Sequence, residues 1–142
     1  MADDRAAEYP QLLHTVLDAT DVRVLAEFYR QLLGLVYRPG DEPPADATTD
    51  DADWLVLTDS AGVRKLAFQQ VHDLPRSTWP QHDVPQQLHL DMTVPDRATL
   101  DRQRDRALAL GAELRLDRTA DPREPLYALA DPAGHTFCIF VR

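Results

Sequence analysis

The first half of the chain alternates short apolar runs with one segment of helical periodicity. In TDVRVLAEFYRQLLGL, residues 20–35, apolar side chains recur three and four positions apart, which predicts an amphipathic helix. Thr20 or Asp21 can cap the start of this helix, and Gly34 is suited to end it. The apolar residues on the helical spacing are Val24, Leu25, Phe28, Leu32 and Leu33. The strand QLLHTVLDA precedes the helix, and the strands LVYR, WLVLTD and RKLAFQQV follow it, with an exposed loop predicted over residues 39–53.

The second half shows the same order of elements after a segment that proline interrupts repeatedly. HDLPRSTWPQHDVPQ has no periodicity, so residues 73–85 are interpreted as a connector. QLHLDMTV then predicts a strand, and PDRATLDRQRDRALALG predicts a helix that ends at Gly111 and has a sparser apolar face. AELRLDR, LYALAD and TFCIFVR predict the three remaining strands.

The two halves match each other as an internal repeat. His14 precedes Asp21 by the same spacing that separates His89 from Asp96. VLTDSAG in the first half matches ALADPAG in the second, and LAFQQV matches HTFCIF in the same order. Several matches in one order indicate a duplicated strand–helix–three-strand unit.

This duplication predicts an α+β fold with two tandem βαβββ modules, which form a curved mixed sheet around a concave cleft. We expect module 1 at residues 10–72, module 2 at residues 86–142, and a single domain over residues 1–142. One helix covers only one face of each four-stranded unit, so the other face stays open. We therefore expect the helices on the outside and the two open faces turned toward each other.

Alternation along the strands selects the residues of the open faces. If the more apolar faces pack on the helices, His14 and Asp18 of the first strand point into the cleft, as do their counterparts His89 and Asp91. Alignment of Phe68 with Phe137 makes the next two cleft residues equivalent. The four polar or soft residues expected to converge in two symmetry-related pairs are His14, Gln69, His89 and Cys138.

Charge and cysteine content narrow the classes of partner. The 142 residues carry a formal net charge of -9, which repels phosphate backbones and anionic membrane surfaces, so we expect neither nucleic acid nor membrane as a partner. The acidic start MADDRAAEYP lacks the apolar stretch of a signal peptide. Cys138 is the single cysteine, so no intrachain disulfide forms, and a cytoplasmic location is expected.

The segment HTVLDATDVRVLAEFYRQLLGL resembles the opening signature of the vicinal oxygen chelate superfamily, and DPAGHTFCIF resembles its closing strand. That superfamily includes glyoxalase I, bleomycin-resistance proteins, fosfomycin-resistance enzymes and extradiol dioxygenases. LAFQQV, WPQHDVPQQLHLDMTV and ALGAEL look most like its glyoxalase-like subgroup in actinobacteria. The resemblance covers nearly the whole chain and implies the fold, but it does not imply one reaction, because this fold hosts many. It also implies a homodimer, and open sheet edges make such pairing physically reasonable.

In metal-dependent members of this superfamily, each module supplies one first-strand ligand and one fourth-strand glutamate. By this resemblance His14 and His89 match the first-strand ligands, while Gln69 and Cys138 stand where the glutamates would be. Two imidazoles and an amide suit Mg²⁺ poorly, whereas a thiolate at Cys138 would suit Zn²⁺ or a similar ion. The cofactor is thus either absent or a divalent metal such as zinc. Without a metal, the two histidines would hydrogen-bond Asp18, Asp91 or glutamine amides and line a polar pocket.

Aromatic and remaining polar residues complete the predicted pocket. Trp54 and Trp79 can form aromatic walls, although Trp54 can instead pack within the sheet and Trp79 can instead hold down the connector. The predicted pocket residues are Asp18, Trp54, Trp79, Asp91 and Phe140. Histidines in or beside loops are more often solvent-facing, and this applies to His72, His82 and His135.

Three functions are compatible with these residues. The first is a binding protein that holds a small, partly aromatic molecule in the cleft between the modules and has a degenerate metal site. The second is a metal-dependent lyase or isomerase of the glyoxalase type, in which an ion polarises vicinal oxygens. The third is a thiol transferase resembling the fosfomycin-resistance enzymes, which the two missing glutamates and the lack of a basic phosphate-binding loop disfavour.

Overall fold

The part of the chain that the structure describes contains eight strands and two helices, in the order that the repeat predicts. The computed structural model describes residues 8–46 and 49–142. The acidic segment at residues 1–7 and positions 47 and 48 of the predicted loop lie outside the described residues. The elements are β1 (Thr15–Ala19), α1 (Val22–Leu33), β2 (Val36–Tyr37), β3 (Trp54–Thr58), β4 (Arg64–Gln70), β5 (His89–Val94), α2 (Arg97–Ala109), β6 (Glu113–Asp117), β7 (Leu126–Ala130) and β8 (Thr136–Val141).

The strands form two four-stranded mixed sheets with the same topology. Their strand orders are β1-β4-β3-β2 and β5-β8-β7-β6. In each sheet the first strand runs parallel to the last strand of its module, and the other pairs are antiparallel. The predicted fold class is therefore confirmed as two tandem βαβββ modules. The two sheets remain separate and do not close on each other.

Both helices begin at the aspartates that the repeat aligns. The Asp21 side chain accepts a hydrogen bond from the Val24 N–H at 3.2 Å, and the Asp96 side chain accepts one from the Thr99 N–H at 2.7 Å. These bonds satisfy donors that an isolated helix start leaves free. Gly34 ends α1 with a φ of 66°, a left-handed conformation that glycine adopts at little cost.

A single hydrophobic core joins the two modules. The Tyr29 ring on α1 stacks on Phe68 of the first sheet at 6.0 Å between centroids and meets Phe137 of the second sheet at 6.2 Å. Phe28 also contacts Phe137, at 5.8 Å. Val24 and Leu33, expected on the apolar helix face, are instead exposed.

The position of α1 corrects one expectation about the modules. We expected the helices on the outside, but α1 contacts the apolar faces of both sheets and occupies the shared core. The opposite, polar face of each sheet consequently lies on the side away from this core.

Candidate functional site

The strand register places the predicted residues side by side within each module. Asp18 of β1 is the register partner of Gln69 of β4, and Asp91 of β5 is the partner of Cys138 of β8. Phe68 and Phe137, the neighbours of these β4 and β8 residues, point into the core and are fully buried. Each module therefore presents a matching pair on its polar face, as strand alternation predicts.

His14 lies beside an aromatic ring and two arginines on the first module. It immediately precedes β1, and its ring centroid is 6.2 Å from that of Trp54. Its Nδ1 atom is buried and has no hydrogen-bond partner. Burial lowers the pKa of His14 below 6.5, and the nearby charges of Arg64 and Arg38 lower it further. This environment favours a neutral imidazole.

A hollow of about 290 Å³ opens on the polar face of the second module. We call it the second-module hollow. Five of the nine predicted site residues line it, namely Trp79, His89, Asp91, Cys138 and Phe140. The connector supplies Trp79, which packs on a small apolar cluster with Leu126, Ala128 and Cys138.

In the second-module hollow the side chains of His89 and Asp91 are partly exposed, whereas Cys138 is buried. His89 Nε2 lies 3.5 Å from Asp91 Oδ1, with side chains that are 45% and 55% exposed. Burial raises the pKa of Cys138 to about 11, and the nearby Asp91 carboxylate raises it as well. The thiol is therefore protonated at neutral pH and is a poor nucleophile there.

The residues of one chain do not fit the metal site that the resemblance implies. His14 lies beside Trp54, whereas His89 and Cys138 line the second-module hollow. Within residues 8–46 and 49–142, no group of three or more His, Cys, Asp or Glu side chains is placed to hold a metal ion. A complete four-residue set from His14, Gln69, His89 and Cys138 would require a second copy of the chain.

A second hollow, of about 280 Å³, lies between the modules, and we call it the inter-module hollow. Asp18 and Gln69 contribute from the first module, and the connector covers one side with Leu74, Pro75 and Gln86. The turn between β7 and β8 closes the far side. The residues of this turn and of β8 that line the hollow are Ala133, Gly134, His135 and Thr136.

His135 in that turn corrects the expectation of a solvent-facing histidine. Its side chain is only 16% exposed, and its Nδ1 lies 2.9 Å from the Oδ2 atom of Asp131, which is fully buried. The Tyr29 hydroxyl donates to the same oxygen at 2.6 Å. Burial, together with the Asp131 carboxylate, raises the pKa of Tyr29 well above its usual value.

The sequence contains a signal for the Asp131–His135 pair that the prediction of solvent-facing loop histidines does not take into account. ALADPAGH places an aspartate four residues before a histidine, whereas the matching first-module turn LTDSAGV has Val63 at the histidine position. A polar pair that is present in only one copy of a repeat indicates a role specific to that copy. Trp54, in contrast, lies beside His14 and lines neither of the two hollows.

Comparison with solved structures agrees with the topology. A glyoxalase/bleomycin resistance protein/dioxygenase family enzyme from Burkholderia phytofirmans PsJN superposes with a TM-score of 0.66 at 16% identity, covering 93% of this chain and 98% of that one. The fosfomycin resistance protein FosX from Listeria monocytogenes, solved with Mn(II) and a sulfate ion, gives a TM-score of 0.63 at 16% identity, covering 94% and 93%. A possible glyoxalase from Bacillus cereus gives 0.61 at 16% identity, covering 91% and 96%. At these identities the likeness shows a shared fold.

The sequence itself matches a family model. The search of curated proteins found no match to the chain. Neither helix of the described residues has the length and apolar character needed to cross a membrane. The model of the glyoxalase-like domain matches residues 14–140, which is most of the sequence, and with the two βαβββ modules it establishes that the chain belongs to the glyoxalase-like family of the vicinal oxygen chelate fold.

Proposed function

We propose that this protein binds a small, partly aromatic molecule in the second-module hollow and does so without a resident metal. The observation that carries the proposal is the convergence of Trp79, His89, Asp91, Cys138 and Phe140 on one hollow. Apolar walls with a few polar groups are typical of small-molecule sites. The volume of about 290 Å³ favours a ligand smaller than most drugs.

The lining determines which molecules this site favours. Trp79, Leu126 and Phe140 offer apolar area for an aromatic ring. Asp91 and Glu124 outnumber the single cation Arg118, so the hollow favours neutral or positively charged molecules over anions. Cys138, protonated at neutral pH, adds a small apolar contact and no charge.

A metal-dependent lyase or isomerase is the second candidate. Its support is that both modules keep a histidine at matching positions and that the FosX neighbour was solved with Mn(II). Because His14 and His89 lie on different polar faces, this candidate requires a homodimer in which one chain's His14 and Gln69 meet the partner chain's second module. We also propose that the protein is a cytoplasmic homodimer, since its one cysteine is unpaired and its sheets have open edges.

A ligand titration with matched tryptophan variants tests the binding proposal. Phenol, which carries no ammonium group, is titrated into untagged protein while amide shifts and tryptophan fluorescence are recorded. W79A is expected to weaken binding about tenfold or more, because it removes an aromatic wall. W54A, which alters the other polar face, is expected to leave binding unchanged. Equal effects of the two variants, or shifts that avoid Cys138 and His89, contradict the proposal.

Metal analysis of the same preparation tests the second candidate. Untagged protein is equilibrated with Zn(II) or Mn(II), and bound metal is measured for H14A, H89A and the exposed control H82A. The wild type would then bind one metal per chain and act on methylglyoxal hemithioacetal, and H14A and H89A would each abolish metal binding. That result would favour the metal-dependent enzyme over the binding protein. In that event, mixing equal amounts of H14A and H89A chains restores about a quarter of the sites, since half of the dimers are mixed and one of the two sites in each has both histidines.

A further inference from the structure

The turn between β7 and β8 holds an imidazole in a fixed orientation. Asp131 is fully buried and accepts hydrogen bonds from the backbone N–H groups of Ala133 at 2.9 Å and His135 at 3.0 Å, besides the Tyr29 hydroxyl at 2.6 Å. The His135 ring meets both carboxylate oxygens through Nδ1, at 3.1 and 2.9 Å. The turn and α1 thus converge on one carboxylate that orients one ring.

This geometry selects the tautomer of His135. A carboxylate only accepts hydrogen bonds, so the neutral ring places its proton on Nδ1 and leaves Nε2 as an acceptor. Among the described residues, the Nε2 atom of His135 has no hydrogen-bond partner, and it is not one of the polar atoms that are both buried and unpaired. The free acceptor therefore belongs to a ring that lines the inter-module hollow.

The connector packs against the turn between β7 and β8 at one side of the inter-module hollow. Gly134 has a φ of 96°, and a Cβ atom there would come within 2.9 Å of the Cβ atom of Arg76. Arg76 Nη1 also donates to the Pro132 carbonyl at 2.7 Å. Only glycine permits this close approach, so the connector is fixed against the turn that bears His135.

The inter-module hollow contains one carboxylate and one unpaired buried acceptor. The Asp18 carboxylate lines it from β1, and Gln86, directly after the connector, has a buried Oε1 atom without a hydrogen-bond partner among the described residues. Among the described residues, the lining contains no lysine or arginine side chain. An unpaired buried acceptor costs free energy until a donor reaches it. The lining therefore combines an unpaired acceptor and a carboxylate with no positively charged lysine or arginine.

We propose that the inter-module hollow is a second ligand site, which takes a small organic cation with N–H donors, such as a primary ammonium or an amidinium. Asp18 supplies the counter-charge, His135 Nε2 accepts one hydrogen bond, and Leu74 and Pro75 cover the apolar part of the ligand. The site adjoins the second-module hollow, with which it shares Gln86 and Thr136, but Asp18 and His135 do not line that hollow. The proposal does not depend on the function proposed for the second-module hollow. The formal net charge of -9 favours the approach of cations to it.

A matched pair of aliphatic probes tests this site without engaging an aromatic pocket. Butylammonium and butyrate are titrated into the full chain, labelled with ¹⁵N, at neutral pH. Butylammonium is expected to shift the amide signals of Ala133–Thr136 and Asp18 and the imidazole Nε2 nitrogen of His135, and butyrate to shift none of them. Equal binding of the two probes, or shifts confined to the second-module hollow, overturns the proposal.

Variants separate ligand contact from a structural role. D18N and H135Q are each expected to weaken butylammonium binding about tenfold or more, because each removes a charge-assisted or acceptor contact. The controls D73N and H82Q make the same changes at exposed residues that line neither hollow and are expected to leave binding unchanged.

The partly exposed position of Asp18 makes D18N informative even if H135Q does not fold. Unchanged butylammonium affinity in a folded D18N overturns the proposal. W79A keeps the two sites distinguishable, since it is expected to weaken the binding of phenol and not that of butylammonium. Failure of either site thus leaves the other to be judged by its own probe.

Discussion

The two helices occupy matching positions in the repeat, yet they bury very different surfaces. In α1 the buried residues are Val22, Leu25, Ala26, Phe28, Tyr29 and Leu32, whereas in α2 only Leu100 and Ala107 are buried. With the repeat aligned on the two helix caps, Phe28 corresponds to Gln103 and Tyr29 to Arg104. The aromatic pair that joins both sheets on α1 is therefore replaced on α2 by polar side chains.

This difference shows that duplicated modules need not have equivalent positions in the core. The first and last strands of each module pair in parallel in both copies. The helices diverge because α1 is enclosed by both sheets, while Arg104 of α2 lies over the Tyr127 ring at 4.7 Å at a partly buried site. Topology is a property of each module, but burial depends on what the other module covers.

The largest expected effect comes from truncating Phe28, one residue of the aromatic pair on α1. F28A is expected to lower the free energy of unfolding by about 3–5 kcal/mol, because it leaves a cavity where α1 meets Phe137. Its counterpart Q103A is expected to change it by roughly 0.5 kcal/mol or less. Urea unfolding with a constant m-value measures both. Comparable losses in the two variants would mean that α2 is as deeply enclosed as α1.

The second test compares the two turns that the repeat aligns. Asp131 and Asp59 each accept two backbone N–H groups, but the Asp59 side chain is 35% exposed and Asp131 is fully buried. D131A is expected to cost about 3 kcal/mol because it leaves the buried Tyr29 hydroxyl without an acceptor, and D59A about 1 kcal/mol. Y29F is the control, since it removes only that hydroxyl. A cost of D59A that equals that of D131A would contradict the assigned difference.

Much of the fold was predictable because the signals were local. Strand alternation and the helix caps at Asp21 and Asp96 depend on near neighbours in sequence, and all were present in the structure. The placement of α1 between the sheets was not predictable, since it depends on how two finished modules pack. The same applies to His135, whose partner Asp131 also accepts a hydrogen bond from Tyr29 of α1, a residue distant in sequence.

The same distinction between local and tertiary signals applies to the predicted site residues. His89, Asp91 and Cys138 lie together because they belong to two adjacent strands of one module, which alternation and register are enough to predict. His14 was expected to join them through the symmetry of the repeat. The convergence of two modules is a tertiary property, and within one chain Asp18 and Gln69, rather than His14, share a hollow with the second module.

The smallest expected effect concerns the strand that follows the helix in each module, β2 or β6, and its contribution to the free energy of unfolding at high pH. Tyr37 on β2 is largely buried and donates to Glu27 Oε2 of α1 at 2.8 Å, whereas Leu114, at the matching place on β6, is exposed. Burial raises the pKa of Tyr37 to about 12, and the hydrogen bond to Glu27 raises it as well. The folded state therefore favours the neutral phenol.

The sign of the pH dependence follows from this raised pKa. The contribution of the neutral phenol is complete below the unfolded pKa of about 10 and is lost as pH rises toward the folded pKa of about 12. At pH 8, Y37F is expected to be less stable than the wild type by about 1 kcal/mol, and the difference should shrink and then reverse between pH 10 and about 12. L114A, which removes an exposed side chain, should follow the wild-type pH dependence throughout. Urea unfolding at several pH values measures the three curves, and a constant gap between wild type and Y37F would show that β2 is held to α1 without the Tyr37–Glu27 bond.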